Sequence, residues 1–216
     1  MGSSDLTANF GNLLDIAKLS KPTWQTKMAD AVRDMLNDPF VRGSLDVDHI
    51  ALTPERFVDA LQEYFAGVSI DPKKMLTKAL FNPPNSKQSQ MVHVCDSKFY
   101  STCAHHLAPI VGKWHFAYIP NEKLVGISKI PRLVEIYSRR PQVQENLTEE
   151  IVEAFQEIVQ PAGCGLMMKA SHFCMEARGA KAHGSITVTT ALRGCFLDAK
   201  VKEEFLLTAS ALRWSL

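Results

Sequence analysis

The chain changes its period near residue 90, and that change limits its fold more than any other feature. Up to about residue 85 the apolar residues recur at helical spacing, and from Met91 onward they alternate. In "TPERFVDALQEYFAG", Thr53 reads as an N-cap and Pro54 as the first helical residue. Phe57, Leu61, Tyr64 and Phe65 read as an apolar stripe, and Gly67 as the stop. "DPKKMLTKALF" repeats the plan with Asp71 and Pro72, and "NPPNSKQSQ" then breaks the chain with prolines and polar residues. The spacing predicts an N-terminal helical region over residues 1–85 and a second domain over residues 86–216.

Past the break, "MVHV" and "KWHFAYI" read as an antiparallel strand pair. Trp114, Phe116 and Tyr118 share one face, with Lys113, His115 and Ala117 on the other. "IPRLVEIYSRR" and "LTEEIVEAFQEIVQP" follow as two helices. The second has Thr148 as its expected cap and Ile151, Val152, Phe155, Ile158 and Val159 as its apolar stripe. "GCGLMMKASHFCM" and "GSITVTTALRGCF" read as two more strands, with a short helix in "VKEEFLLTAS". The fold class is therefore α+β, in the order strand, strand, helix, helix, strand, strand.

The charge balance excludes some partners. Lys and Arg number 24 against 23 acids, a net charge of +1, so no global field draws nucleic acid or an anionic membrane. An anion must be held by a local cluster. No apolar run approaches the roughly 20 residues that cross a bilayer. Five cysteines without close regular spacing, and no secretory pattern in "MGSSDLTANFGNLL", predict free thiols and a cytoplasmic location.

Cys103, His105 and His106 lie within one short stretch, and His172 and Cys174 form a second cluster in the other strand pair. These donors suit zinc: with Cys103, His106 and Cys174 as ligands, a fourth tetrahedral position stays open, and His105 and His172 remain for proton transfer. Spacing alone also fits small buried thiols and satisfied core histidines. Cys95, Cys164 and Cys195 have no histidine beside them and read as structural. Lys129, Arg132, Arg139 and Arg140, placed around a helix N-terminus with Ser128, read as a phosphate site or as a solvated basic face. "RGAKAHG" adds Arg178 and Lys181. Glu145 could accept two N–H bonds from a ligand edge or complement a helix dipole, and the residues alone favour the dipole.

Three segments together resemble one family, GTP cyclohydrolase I: "CAHHLAPIVGKWHFAYIPN", "GISKIPRLVEIYSRRPQVQENLT" and "HFCMEARG", in that order within residues 90 to 208. The resemblance implies a tunnelling fold, two antiparallel β-hairpins around a helix pair, whose strands close into a barrel between subunits. It also implies a homodecamer of two pentamers. The implied reaction is zinc-dependent conversion of GTP to 7,8-dihydroneopterin triphosphate with release of formate. By position, Cys103, His106 and Cys174 match the zinc ligands and His105 and His172 the acid/base histidines. Ser128, Lys129, Arg132 and Arg178 match the triphosphate ligands, and Gln144 and Glu145 those of the guanine. Ala104 stands where the family usually carries Glu, Asn146 replaces an Arg and Pro141 a Leu. The alternative is a divergent pterin- or purine-nucleotide-binding protein without turnover.

Overall fold

The computed structural model describes residues 23–43, 46–82 and 90–211. The chain divides into two compact units between Ala66 and Gly67. The expected boundary loop, residues 83–89, lies outside the described residues. The division falls earlier because the segment after Gly67 is built into the second unit.

The first unit contains α1 (Thr23–Asn37), α2 (Pro39–Arg42), α3 (Val47–Ile50) and α4 (Thr53–Tyr64). Asp38 and Asp46 cap α2 and α3 by accepting from the Phe40 and Asp48 N–H groups. α1 packs on α4, and Arg33 bridges Asp30 at 2.5 Å and Glu55 at 2.6 Å. Thr53 is not the cap it was expected to be. It lies inside α4, whose N-cap is Leu52, and the buried stripe is Pro54, Val58 and Leu61, with Phe57 and Tyr64 exposed.

The second unit opens with α5 (Pro72–Thr77), which is capped as expected: the Asp71 side chain accepts from Lys73 N–H at 2.9 Å. Then come β1 (Leu80–Phe81), β2 (Val92–Cys103), β3 (Pro109–Ile119), β4 (Leu124–Val125), α6 (Lys129–Ser138), β5 (Pro141–Gln142) and α7 (Gln144–Val159). The chain ends in β6 (Gly163–His172), α8 (Phe173–Glu176), β7 (Thr187–Gly194) and α9 (Ala199–Ala211). α5 packs on α6 and α7, Lys73 pairs with Glu157 at 2.6 Å, and β1 pairs with β4, which is why the unit begins at Gly67. Gly67 itself lies against the end of α6, where an added Cβ would fall 2.0 Å from the Ile136 carbonyl oxygen.

Both hairpins belong to one sheet of order β5-β2-β3-β6-β7, because β3 pairs antiparallel with β6. Trp114, Phe116 and Tyr118 face α6 and α7, and Phe155 of α7 meets Phe116 and Tyr118 edge-on at 4.7 and 5.2 Å. The opposite face is also covered. Ala117 and Met167 pack with Phe205 and Ala209 of α9, His115 lies against Phe205, and Lys113, on the same face, is buried as well. Among the described residues no helix is long and apolar enough to cross a membrane.

Candidate active site

Strand β2 ends at Cys103, and a tight turn follows it. Cys103 N–H donates to Ala108 O at 2.8 Å and Leu107 N–H to Cys103 O at 2.9 Å, with Leu107 in the left-handed region at φ +50. β5 runs parallel beside this end, pairing Gln142 with Cys103, and Ala104 N–H donates to Gln142 O at 2.9 Å. The turn is thus held on both sides and carries His105 and His106 outward, where both are exposed.

β6 reaches the same end of the sheet, since His172 lies opposite Ile110 and Pro109 opposite Thr102. The next turn, α8, carries Cys174, and Ser171 Oγ ties α8 to the strand by donating to Glu176 Oε1 at 2.5 Å. Cys103, His106 and Cys174 consequently bring their donor atoms within 4.8 Å of one another, with Cys103 Sγ 3.8 Å from His106 Nδ1. Burial pushes the Cys174 thiol up, the adjacent Cys103 pushes it further, and Arg178 works against both. Two crowded thiols beside an imidazole need a cation to become a stable set of thiolates, and two sulfurs with one nitrogen fit a borderline divalent metal.

His172 is held by a ring of hydrogen bonds that the sequence does not announce. α7 begins at Gln144, four residues before the expected cap Thr148. Val143 is its extended N-cap, and Thr148 is a buried interior residue. Gln144 is pulled into the helix by the sheet. Its Nε2 contacts Met168 O at 3.3 Å, Thr187 O at 3.2 Å and Thr189 Oγ1 at 3.1 Å, while its Oε1 lies 2.7 Å from His172 Nε2. Thr148 Oγ1 donates to Gln144 O at 2.8 Å and lies 2.6 Å from Thr189 Oγ1, which closes the ring.

The ring fixes proton positions. Carbonyl oxygens only accept, so the amide nitrogen of Gln144 must face Met168 and Thr187. Its oxygen is then the atom facing His172, so His172 Nε2 carries the hydrogen and Nδ1 is left as the proton-exchanging nitrogen. Burial holds His172 below the usual histidine range, with the Glu145 charge opposing. Glu145 is exposed on the first turn of α7, whereas the Gln144 side chain is spent inside the chain. Thr189 is the residue that sequence reasoning missed, and Thr148 was read only as a cap. The signal was present in the alternation of "TVTTALRG", which puts Thr187 and Thr189 on one face.

The expected phosphate ligands form a second group. Ser128 is the exposed N-cap of α6 and makes no side-chain cap bond, and Lys129 and Arg132 follow on the first turns. Burial, and then the charge of Arg132, holds the Lys129 ammonium below its usual range. Arg139 and Arg140 do not join them, because both lie past the C-terminus of α6. Arg139 pairs with Glu135 at 2.7 Å, and Arg140 donates to Gly67 O and Ile70 O at 3.2 and 3.3 Å over the Tyr137 ring. α6 starts beyond the far end of β3 and runs back towards β5, the partner of Cys103. About 15 Å of packed helix therefore lies between the Lys129 group and the thiol end. Arg178 is exposed just after α8, close enough to act on Cys174.

Residues 28–210 match the family described as GTP cyclohydrolase I. Among similar proteins, GTP cyclohydrolase 1 of Campylobacter curvus (strain 525.92) is 47% identical over 71% of this chain and 80% of its own. The enzyme of the same name from Campylobacter concisus (strain 13826) is 43% identical over 84% of this chain and 93% of its own. That of Chlorobaculum tepidum is 41% identical over 83% and 78%. Among solved structures, the apo archaeosine synthase QueF-Like is similar at a TM-score of 0.42 and 18% identity, over 50% of this chain and 97% of that one.

Proposed function

The chain belongs to the GTP cyclohydrolase I family, and from that premise we propose that it converts GTP to 7,8-dihydroneopterin triphosphate with release of formate, using zinc. The observation that carries the reading is the convergence of Cys103, His106 and Cys174 within 4.8 Å, at the same end of the sheet as a histidine whose proton positions are fixed. Cys103, His106 and Cys174 would hold the metal, which when bound lowers the pKa of water towards about 7 and supplies a nucleophile at neutral pH.

The protein's own groups do the rest. His172 gives and takes a proton at Nδ1 next to the guanine ring nitrogen, while Gln144 keeps Nε2–H occupied and the imidazole oriented. His105, exposed on the turn after Cys103, moves protons during opening of the imidazole ring and loss of its carbon as formate. Glu145 reads the guanine edge by accepting two N–H bonds. Gln144 contributes by orienting His172 and through its backbone N–H, one of those that the first turn of a helix leaves without an intrahelical partner. Ser128, Lys129, Arg132 and Arg178 hold the triphosphate.

One feature supports a site completed between copies of the chain. The Lys129 group and the thiol group sit at opposite ends of α6, with the helix packed on the sheet between them. One GTP can reach both if a neighbouring chain supplies one of them. This fits the tunnelling fold of the family, with strands joined into a barrel between subunits, a homodecamer of two pentamers, and a cytoplasmic enzyme.

The test is incubation of metal-quantified protein with GTP, following formate and the dihydropterin spectrum. Formate that disappears on chelation and returns with zinc supports the reading. Bound zinc and bound GTP without formate would overturn it in favour of a nucleotide-binding protein, with Ala104 and Asn146 the first residues to revert.

A further inference from the structure

A second group of metal-type donors lies on the other face of the sheet. His93 and Cys95 are two apart on β2 and share a face, and His115 of β3 is the residue that continued pairing would set opposite Cys95. Pairing does not continue: the register shifts between Val94 and Ser97, and Asp96 turns into the left-handed region at φ +55. This bulge takes Cys95 out of the regular ladder at the point where the two imidazoles meet. His93 Nδ1 and His115 Nε2 are 3.0 Å apart, and the donor atoms of His93, Cys95 and His115 all lie within 4.8 Å of one another.

The surroundings suit a cation held by neutral imidazoles. His115 is fully buried, its ring 5.3 Å from that of Phe205 on α9, and its Nδ1 has no hydrogen-bond partner among the described residues. Two ring nitrogens 3.0 Å apart are joined either by the N–H of one neutral imidazole or, when both present lone pairs, by a cation that both ligate. The Asp96 carboxylate at the bulge is already paired with Lys113 at 2.7 Å. A thiolate from Cys95 would give the bound ion its compensating charge, and Glu204 is the acidic group on α9 whose field reaches His93.

We infer that His93, Cys95 and His115 form a second binding site for a zinc-type divalent ion, separate from Cys103, His106 and Cys174. Two nitrogens and one sulfur are a donor set of zinc, with water or a carboxylate completing the tetrahedron. The ion ties the bulge of β2 to the buried strand β3 under α9, so its role is to fix that face of the sheet. The sequence shows only half of the site: His93 stands two residues before Cys95, the spacing of His172 and Cys174, and His115 joins them only when β2 pairs with β3.

The experiment uses the intact protein loaded with zinc and, in parallel, with cobalt. Wild type is expected to hold two metal equivalents per chain and Cys95→Ser one, with formate release from GTP retained, since Cys95 takes no part in the reaction. The cobalt spectrum of Cys95→Ser should lose a single-thiolate charge-transfer component and keep that of the two-thiolate site. Equal metal content and spectra in the two proteins overturn the inference. Should Cys95→Ser fail to fold, alkylation of wild type decides. Cys95 is exposed, and zinc at this site should slow its modification by about tenfold or more, because a coordinated thiolate is a poor nucleophile. An unchanged alkylation rate at the Cys95 peptide refutes the site. Both readouts are independent of whether GTP is the substrate.

Discussion

Replacing Gln144 with Ala tests whether the hydrogen-bonded ring orients His172 or merely fills space. The substitution removes the acceptor of the 2.7 Å bond from His172 Nε2 and the amide donor shared among Met168 O, Thr187 O and Thr189 Oγ1. One buried hydrogen bond contributes about 1 kcal/mol net, and the acceptors left without a donor cost about 1–3 kcal/mol more, so unfolding free energy should fall by about 2–4 kcal/mol. The kinetic effect should exceed what partial unfolding explains. General acid–base transfer by a positioned histidine contributes about 10²- to 10⁴-fold, and a His172 free to rotate should forfeit roughly 10²-fold in kcat, with KM for GTP nearly unchanged. Gln144→Glu separates the two roles. It keeps an oxygen facing His172 but sets a second oxygen against two carbonyls, so it should be as unstable as the Ala variant yet retain more of kcat. Denaturant titration and steady-state formate release read both effects, and nitrogen NMR of His172 reads its tautomer. A folded Gln144→Ala with wild-type kcat, or a His172 protonated at Nδ1 rather than Nε2 in the neutral wild type, would refute the reasoning.

Cys174→Ser removes one of three convergent donors. It should lose the tightly held metal of that site together with formate release, as measured by metal analysis and a GTP assay, while circular dichroism stays that of the native fold. Phe155→Ala empties a fully buried position between Phe116 and Tyr118 and should cost about 3–5 kcal/mol in chemical denaturation. Arg140→Met should lower stability by about 1–2 kcal/mol through loss of its bonds to Gly67 and Ile70, with KM for GTP unchanged; a large rise in KM would restore Arg140 to the phosphate site.

The sequence disclosed those parts of the fold that depend on local period. The pairing of "MVHV" with "KWHFAYI", the two central helices and the capped start at Asp71 all follow from alternation, helical spacing and cap chemistry, whereas the run of β2 on to Cys103 does not. Where long-range pairing decides, the sequence was silent or misleading. Thr148 resembles a cap, yet Gln144 draws the helix start back to itself because β6 and β7 present acceptors to its side chain. Arg139 and Arg140 look like part of one basic cluster with Lys129, but ten residues of helix carry them to its opposite end. Lys113, His115 and Ala117 read only as the face opposite Trp114, Phe116 and Tyr118, and α9, with no strong stripe in its sequence, covers His115 and Ala117 with Phe205 and Ala209. The grouping of Cys103, His106 and Cys174 lay open to either interpretation until β2 and β6 were seen to end at the same place.

The course of α6 has a genetic consequence. If the centre is completed between copies as proposed, a chain with thiols at one end of this helix and cationic side chains at the other would serve two reaction centres at once, its own and that of a neighbouring chain. A Cys103→Ser chain and a Lys129→Met chain, each inert as a pure assembly, should therefore recover turnover when dissociated and reassembled together. Centres that draw the metal ligands from one parent and the phosphate ligands from the other are then intact. Co-expressed defective alleles would complement each other, and regain of at most about one quarter of the activity on random mixing in equal amounts would show that the metal ligands and the phosphate ligands of a centre come from different chains.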